Sequence, residues 1–507
     1  MARSANSSEM ACSRARMSSN SPGMGRQRTG ERWRPPVAWR PVTRGADLAL
    51  APWVEREGER IVGDLLEWLR VPSISAQAAH AGDVRRSAEL TAELLGRAGM
   101  EHVEVLETGG APAVYADHLH AGPDAPTALV YGHHDVQPVD PIDEWLSPPF
   151  EPQIVDGECR ARGAVDDKGQ VLYQVEAVRG LLALHGRLPV NVKFLVEGEE
   201  EVGSPHFEDL LHGERDRLRC DVVVVSDTDM WAPDVPSVCV GMRGLVSFHV
   251  DVRTAASDLH SGLFGGAVPN PAHLIAGLVA ALHDDEGRVA VPGFYDDVRS
   301  LTEAEEESLR RIPVDEEAWR RMAGVGRLSG EAGRSLLERI WTRPTCDVVG
   351  IGVGYTGEGI KTVVPARGSF KVTFRLVADQ RPDAVARPFT AWLRARVPEG
   401  VEVEVSEEGA VAPALTPVDH PAMGALCRAV ERVWGAAPLF TRIGGSGPEE
   451  ALGRVLAAPV LYLGVALPGD RFHAPNERMV MDQFWKGLLA AGELWQELAR
   501  LEVPSRG

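Results

Sequence analysis

Apolar-dominated runs at residues 127–131, 190–196 and 221–225 alternate with stretches of helical periodicity, and this alternation constrains the fold more than any other feature of the chain. A strand that is apolar at nearly every position must be covered on both faces, whereas a half-buried strand alternates in polarity. Ile61, Leu65, Leu66 and Leu69 recur at helical spacing, and Val71-Pro72 closes that helix because the residue before proline disfavours the α region. A second helix is expected near 84–98, stopping at Gly99, and a third over 170–184, closed by Gly186. Further strands are expected at 103–106 and 113–116. The predicted fold class is α/β, a mostly parallel sheet covered by helices, interrupted by an inserted α+β domain.

The interruption begins after Gly241-Met242-Arg243-Gly244. Residues 245–252 and 369–376 alternate as half-buried strands, with a helix expected over 271–283 and a polar, acidic, helix-rich stretch at 302–337 between them. A helix at 421–434 and a strand at 460–465 return to the first pattern. The expected organisation is therefore a first sheet segment at 46–241, an insert at 242–412 and a second sheet segment at 413–507. Residues 1–45 stand apart. They carry nine Arg and two Glu among many Ser, Gly and Pro, with no hydrophobic period and no apolar core of a secretory signal. They read as a disordered basic tail or an assigned start too far upstream, with Met10, Met17 and Met24 as alternative starts.

At 507 residues the chain is too long for one simple core. A net charge of −20 argues against a nucleic-acid surface and suits a protein whose carboxylates hold cations. No apolar stretch approaches the roughly 20 residues of a membrane span. The six cysteines include no Cys-x-x-Cys pair, which argues against a cysteine zinc site or a disulfide framework and for a cytoplasmic location.

The chemistry lies at the strand ends. His133-His134-Asp135 follows the first buried run, Asp166-Asp167-Lys168-Gly169 occupies a turn, Glu199-Glu200-Glu201 follows the second run, Ser226-Asp227 the third, and His473 sits in a late loop. Each alone is weak: a histidine at a strand end is usually packed or solvated, a Glu triplet is usually a solvated face, and an Asp-Asp-Lys-Gly run is usually a turn or a helix cap. Together they supply what a pair of divalent ions about 3.5–4 Å apart requires: a shared carboxylate, a His and a carboxylate for each ion, and a free base beside the water. Ligands of this kind collect at the carboxyl ends of the strands of an open α/β sheet.

The segments Gly132-His133-His134-Asp135-Val136-Gln137-Pro138, Gly163–Gly169, Glu197–Ser204 and Asp258-Leu259-His260-Ser261-Gly262 resemble the dinuclear-zinc exopeptidases, the family of carnosinase, cytosolic non-specific dipeptidase, carboxypeptidase G, aminoacylase and succinyl-diaminopimelate desuccinylase. The resemblance covers roughly residues 50–500 and is nearest to the dipeptidase branch. It implies that His133 and Asp227 bind one metal, Glu201 and His473 the other, and that Asp166 bridges both, with a cis peptide after Asp166. Asp135 would fix the imidazole of His133, and Glu200 would be the general base. Glu199-Glu200 could instead supply the base–ligand pair, but the family pattern before Gly203-Ser204 favours Glu200-Glu201. His134 is expected to line the pocket.

The resemblance also implies that His260 is lent across a homodimer interface, formed by the inserted lid and dimerisation domain, as an oxyanion donor. Arg375 would clamp the substrate's terminal carboxylate, assisted by backbone N–H groups around Gly445 and Ser446. Arg343 is a further residue expected to reach the site, and Glu449 has no assigned role. The expected activity is hydrolysis of dipeptides or small peptides with a free C-terminal carboxylate, using two divalent ions, Zn2+ first and Mn2+ or Co2+ as alternatives. An N-acyl amino-acid deacylase using the same centre is the alternative, and a catalytically silent scaffold a third.

Overall fold

The computed structural model of the protein describes residues 48–502. The basic segment at 1–45 lies outside the described residues.

The large sheet has nine strands, and its centre is parallel. Asn191–Glu197, Thr127–His133, Val222–Val225 and Val460–Tyr462 lie side by side in that order, all pointing the same way. Every residue of these four strands is buried. Burial on both faces explains why they read as continuous apolar runs. Ala113–His118 and Glu101–Leu106 extend one edge antiparallel. At the other edge Ser237–Met242 pairs with Ala414–Leu415 and, in parallel, with Leu439–Ile443.

Helices Ala51–Leu69, Ala81–Arg97, Lys168–His185, Pro421–Trp434 and Met481–Leu498 flank this sheet. Lys168–His185 is buried on nearly all sides because it is packed between the sheet and the C-terminal helix, and Gly186 ends it in the left-handed conformation (φ 70°). Gly169, in its first turn, lies so close to the preceding loop that an added Cβ would stand 2.0 Å from the Ala164 carbonyl oxygen. The helix start is thereby pressed onto the Asp166 turn.

The chain leaves the large sheet at Met242 and builds a second, antiparallel sheet of four strands. Its order is Thr345–Val353, Arg367–Leu376, Gly244–Arg253, Glu402–Val411. Helices Pro271–Ala280 and Pro382–Arg394 cover one face, over a core that includes Phe248, Phe374 and Phe389. The other face is open, which accounts for the alternating burial along Gly244–Arg253. Ala414 then re-enters the large sheet beside Met242, so the four-stranded unit is an insertion in an α/β protein. The acidic stretch forms helices Glu303–Arg311 and Glu316–Ala323, the first closed by a capping box between Thr302 and Glu305. Thr345–Val353 is a free edge, with Val349 and Ile351 exposed.

Candidate metal centre

His133 ends its strand, Glu200 and Glu201 form a short helical turn after Glu197, Asp227 follows Val225, and His473 lies in the loop after Tyr462. Four parallel strands thus deliver side chains to one point at their carboxyl ends, where the backbone fans open and loops need not cross the sheet. Asp166 arrives from the turn before helix Lys168–His185, with a cis peptide between Asp166 and Asp167.

Asp166 is at the centre. Its Oδ1 lies 3.2 Å from His133 Nε2 and its Oδ2 lies 3.1 Å from His473 Nε2, so each oxygen faces a different imidazole. Asp227 Oδ2 approaches the same His133 nitrogen at 3.5 Å, and Glu201 Oε2 approaches His473 at 3.3 Å. Ligand atoms of His133, Asp166 and Glu201, and separately of His133, Glu200 and Asp227, gather within 4.8 Å of one another. Four carboxylates and two imidazoles converge here. Burial, aided by the neighbouring acids, pushes Glu200 well above the usual carboxylate range and Glu201 to about 7. His473 is pulled up to about 10 by its contacts with Asp166 and Glu201. His133 is also raised, its burial outweighed by Asp135, Asp166 and Asp227. An accumulation of buried negative charge answered only by imidazoles is the donor set of a divalent-cation site, and the residues fit a pair of ions sharing Asp166.

The surrounding residues hold this geometry. His133 Nδ1 faces Asp135, 3.2 Å from its carbonyl oxygen and 3.3 Å from its carboxylate. The other Asp135 oxygen accepts from the Glu201 N–H at 3.1 Å, which ties the two halves of the cluster together. Gln137 donates to Glu201 from its backbone (3.1 Å) and its side chain (2.7 Å). Glu199 turns away to pair with His206 at 2.8 Å, so the triplet presents Glu200 and Glu201 to the cluster.

Two further carboxylates complete the frame, Asp167 from the Asp166 motif itself and Glu477, which carries no signal in the sequence. Glu477, fully buried, accepts from the N–H groups of Gly163, Val165 and Asp166 and pairs with Arg162 at 2.8 Å. Asp167 accepts from the His133 N–H at 3.2 Å. A single Glu in a polar loop gives no sequence pattern to find, although it follows His473 by only four residues.

The sequence signature of peptidase family M20/M25/M40 matches residues 129–497. The chain belongs to that family. The Beta-Ala-His dipeptidase of Homo sapiens is 31% identical over 466 residues, covering 89% of this chain and 92% of that protein. A Cys-Gly metallodipeptidase of Schizosaccharomyces pombe is 28% identical over 451 residues, covering 86% and 94%. Among solved structures, an M20 family metallo-carboxypeptidase from Sulfolobus solfataricus superposes with a TM-score of 0.75 at 33% identity, covering 87% of this chain and 99% of that one.

A cleft of about 650 Å3 opens onto the cluster of this M20 peptidase. Glu200, Glu201 and His473 line it from the large sheet, Ser446 and Gly447 from the loop after Leu439–Ile443, and Arg381 from the insert. Arg375 Nη1 donates to Ser446 Oγ at 3.0 Å, so these two expected substrate residues meet, with Gly445 beside them. His260 does not join them within one chain. It is exposed on the short bridge between Leu259–His260 and Val363–Val364, and its Nδ1 accepts from the Gly262 N–H of its own loop.

Two expectations about neighbouring residues need correction. His134 does not line the pocket. It is fully buried, bonded through Nε2 to the Pro112 carbonyl at 2.9 Å, and burial pulls it down to about 4, so it is a neutral packing residue. Arg343 is not free to reach substrate, because Glu331 holds it with two bonds of 2.7 and 2.8 Å and its guanidinium lies over Tyr295. Glu449 is also buried rather than displayed in the cleft, and burial pushes its carboxyl up to about 8.

Proposed function

We propose that the protein is a dinuclear metallo-dipeptidase, cleaving dipeptides or small peptides with a free C-terminal carboxylate. The observation that carries this reading is Asp166, whose two oxygens face two different imidazoles. The dipeptidase names of relatives near 30% identity over most of the chain support the substrate class.

In this reading His133 and Asp227 would hold one ion, Glu201 and His473 the other, and Asp166 would serve both. When bound, the ions polarise the scissile carbonyl and make water acidic enough to yield a nucleophile near neutral pH. Zn2+ is the first choice for mixed His/carboxylate ligation, with Mn2+ or Co2+ as alternatives. Glu200 takes the proton of the attacking water and delivers it to the leaving amine. Asp135 keeps the His133 imidazole oriented. Arg375, with Ser446 and the Gly445 backbone, holds the terminal carboxylate, and the guanidinium suits a planar anion.

Residues 46–241 and 413–507 form the catalytic domain, and 242–412 a lid and dimerisation domain. The free edge Thr345–Val353, with Val349 and Ile351 exposed, supports a homodimer through the insert. His260 of the partner subunit then supplies the oxyanion donor. A cytoplasmic location accords with Cys159, Cys239, Cys346 and Cys427, none of which is in a disulfide.

The test is hydrolysis of Ala-Ala, Gly-Leu, carnosine, N-acetyl-methionine and N-succinyl-diaminopimelate by metal-stripped protein reloaded with Zn2+ or Mn2+. Cleavage of the free dipeptides is expected. Cleavage confined to the acylated amino acids would move the protein to the deacylase alternative.

A further inference from the structure

The loop that carries Ser446 into the cleft also holds a second guanidinium, which the reading above leaves unused. Arg243 is the single residue between strand Ser237–Met242 of the large sheet and strand Gly244–Arg253 of the insert. Its Nε donates to the Gly444 carbonyl at 3.1 Å, and its own carbonyl accepts from Ser446 Oγ at 2.6 Å. That same Ser446 oxygen accepts from Arg375. Both guanidiniums are thus anchored on one loop, Gly444–Ser446, whose serine lines the cleft.

The electrostatics of the pair are unbalanced. Among the described residues, each guanidinium bonds only to a neutral oxygen, and no carboxylate comes within 4.0 Å of either. Arg343 nearby, by contrast, has a carboxylate of its own. Nη1 of Arg243 is buried with no hydrogen-bond partner. Burial, together with the charge of Arg375, pulls Arg243 down to about 10, with Asp347 opposing. A buried unpaired donor and two like charges are costly features to maintain without an anion that answers them. A Cβ at Gly444 would stand 3.2 Å from Arg243 Nη2, so glycine there keeps the loop from crowding that guanidinium.

One terminal carboxylate answers one of the two charges. We propose that Arg243 is a specificity-determining residue that receives a second carboxylate, carried on the side chain of the substrate's C-terminal residue, so that dipeptides ending in Asp or Glu are preferred. This rests on the dipeptidase reading and on Arg375 as the clamp for the terminal carboxylate. It gives Arg243 no part in the bond-breaking step.

The experiment compares kcat/KM for Ala-Glu and Ala-Asp with the near-isosteric Ala-Gln and Ala-Asn, in the wild type, Arg243→Gln and Arg243→Lys. The ratio of acid to amide carries the test, because a general loss of folded protein lowers both rates together. The wild-type ratio is expected to be about ten- to hundredfold, the range of one charge-assisted hydrogen-bonded contact. It should fall to near one in Arg243→Gln and be partly retained in Arg243→Lys, which keeps the charge. Calorimetric binding of L-glutamate against L-glutamine to the same three metal-loaded proteins gives a second readout independent of turnover, with the same order expected. A wild-type ratio near one, or a ratio that survives Arg243→Gln, overturns the proposal. If no dipeptide is cleaved, the dipeptidase reading fails on that ground alone. The binding arm then decides for Arg243: a preference for glutamate lost in Arg243→Gln supports the second-carboxylate role, and equal binding overturns it.

Discussion

Glu200, half-buried, and Glu477, fully buried, are both carboxylates near the cluster, yet their surroundings assign them opposite tasks. Glu200 lines the cleft among other acids, where it can exchange a proton with a bound substrate. Glu200→Gln keeps the shape and removes the base, so kcat is expected to fall by about 10²–10⁴-fold with bound metal unchanged. Steady-state kinetics with metal analysis checks this, and a loss below about tenfold would exclude Glu200 as the base. Glu477 faces inward, its oxygens taken by three backbone N–H groups and Arg162. Glu477→Gln leaves the Arg162 guanidinium buried without its counter-charge, a change that costs about 3–5 kcal/mol. Urea unfolding should show that loss, and because the same bonds hold the Asp166 backbone, metal affinity should weaken with it. His133, Asp135, Glu201 and Asp227 were legible because each sits in a short motif after a strand end, and Asp166 because its Asp-Asp-Lys-Gly turn opens a helix. Glu477 was not, because its role exists only once two distant loops meet.

Elements with an unambiguous environment were the ones the sequence revealed. The helix at 421–434 and the buried central strands match within a few residues, since burial on both faces leaves little room for polar positions. The edge strands Thr345–Val353 and Glu402–Val411 were passed over because one side of each is solvent, which admits the Asp, Glu and Gly that read as loop. The helix at 271–283 ends early at Ala280, where the chain turns into the bridge between His283 and Val289. The start of helix Lys168–His185 offers a sharper test. Gly169→Ala places a methyl 2.0 Å from a backbone oxygen that cannot swing aside, so it is expected to destabilise the protein by about 1–3 kcal/mol or more. Thermal unfolding measures this. A variant as stable as the wild type would mean that the helix start and the Ala164 loop separate freely.

At the scale of the whole molecule, the two sheets meet through the cleft, and the insert carries the exposed edge. If the insert pairs two copies as proposed, Val349→Lys combined with Ile351→Lys is expected to leave a monomer by light scattering, since charges on a free edge oppose strand pairing. If His260 acts on the neighbouring subunit, mixing His260→Ala with Glu200→Gln protein should restore about a quarter of wild-type activity by random reassortment, half the dimers being mixed and each carrying one intact site. No recovery after confirmed exchange would count against the shared site. Metal removal should lower the unfolding temperature, because free ion at about 100 times its Kd contributes about 2.7 kcal/mol to the folded state. Reloading should reverse the shift.

The cluster draws on residues 133, 166, 200, 201, 227 and 473, and the insert separates the last of these from the rest. Synthesis runs from the amino end, so the first five emerge from the ribosome well before His473. The segment made before the insert therefore carries five of the six cluster residues and six of the nine strands of the large sheet. In the proposed reading the centre needs His473, so peptide-cleaving capacity waits until the whole insert has been synthesised.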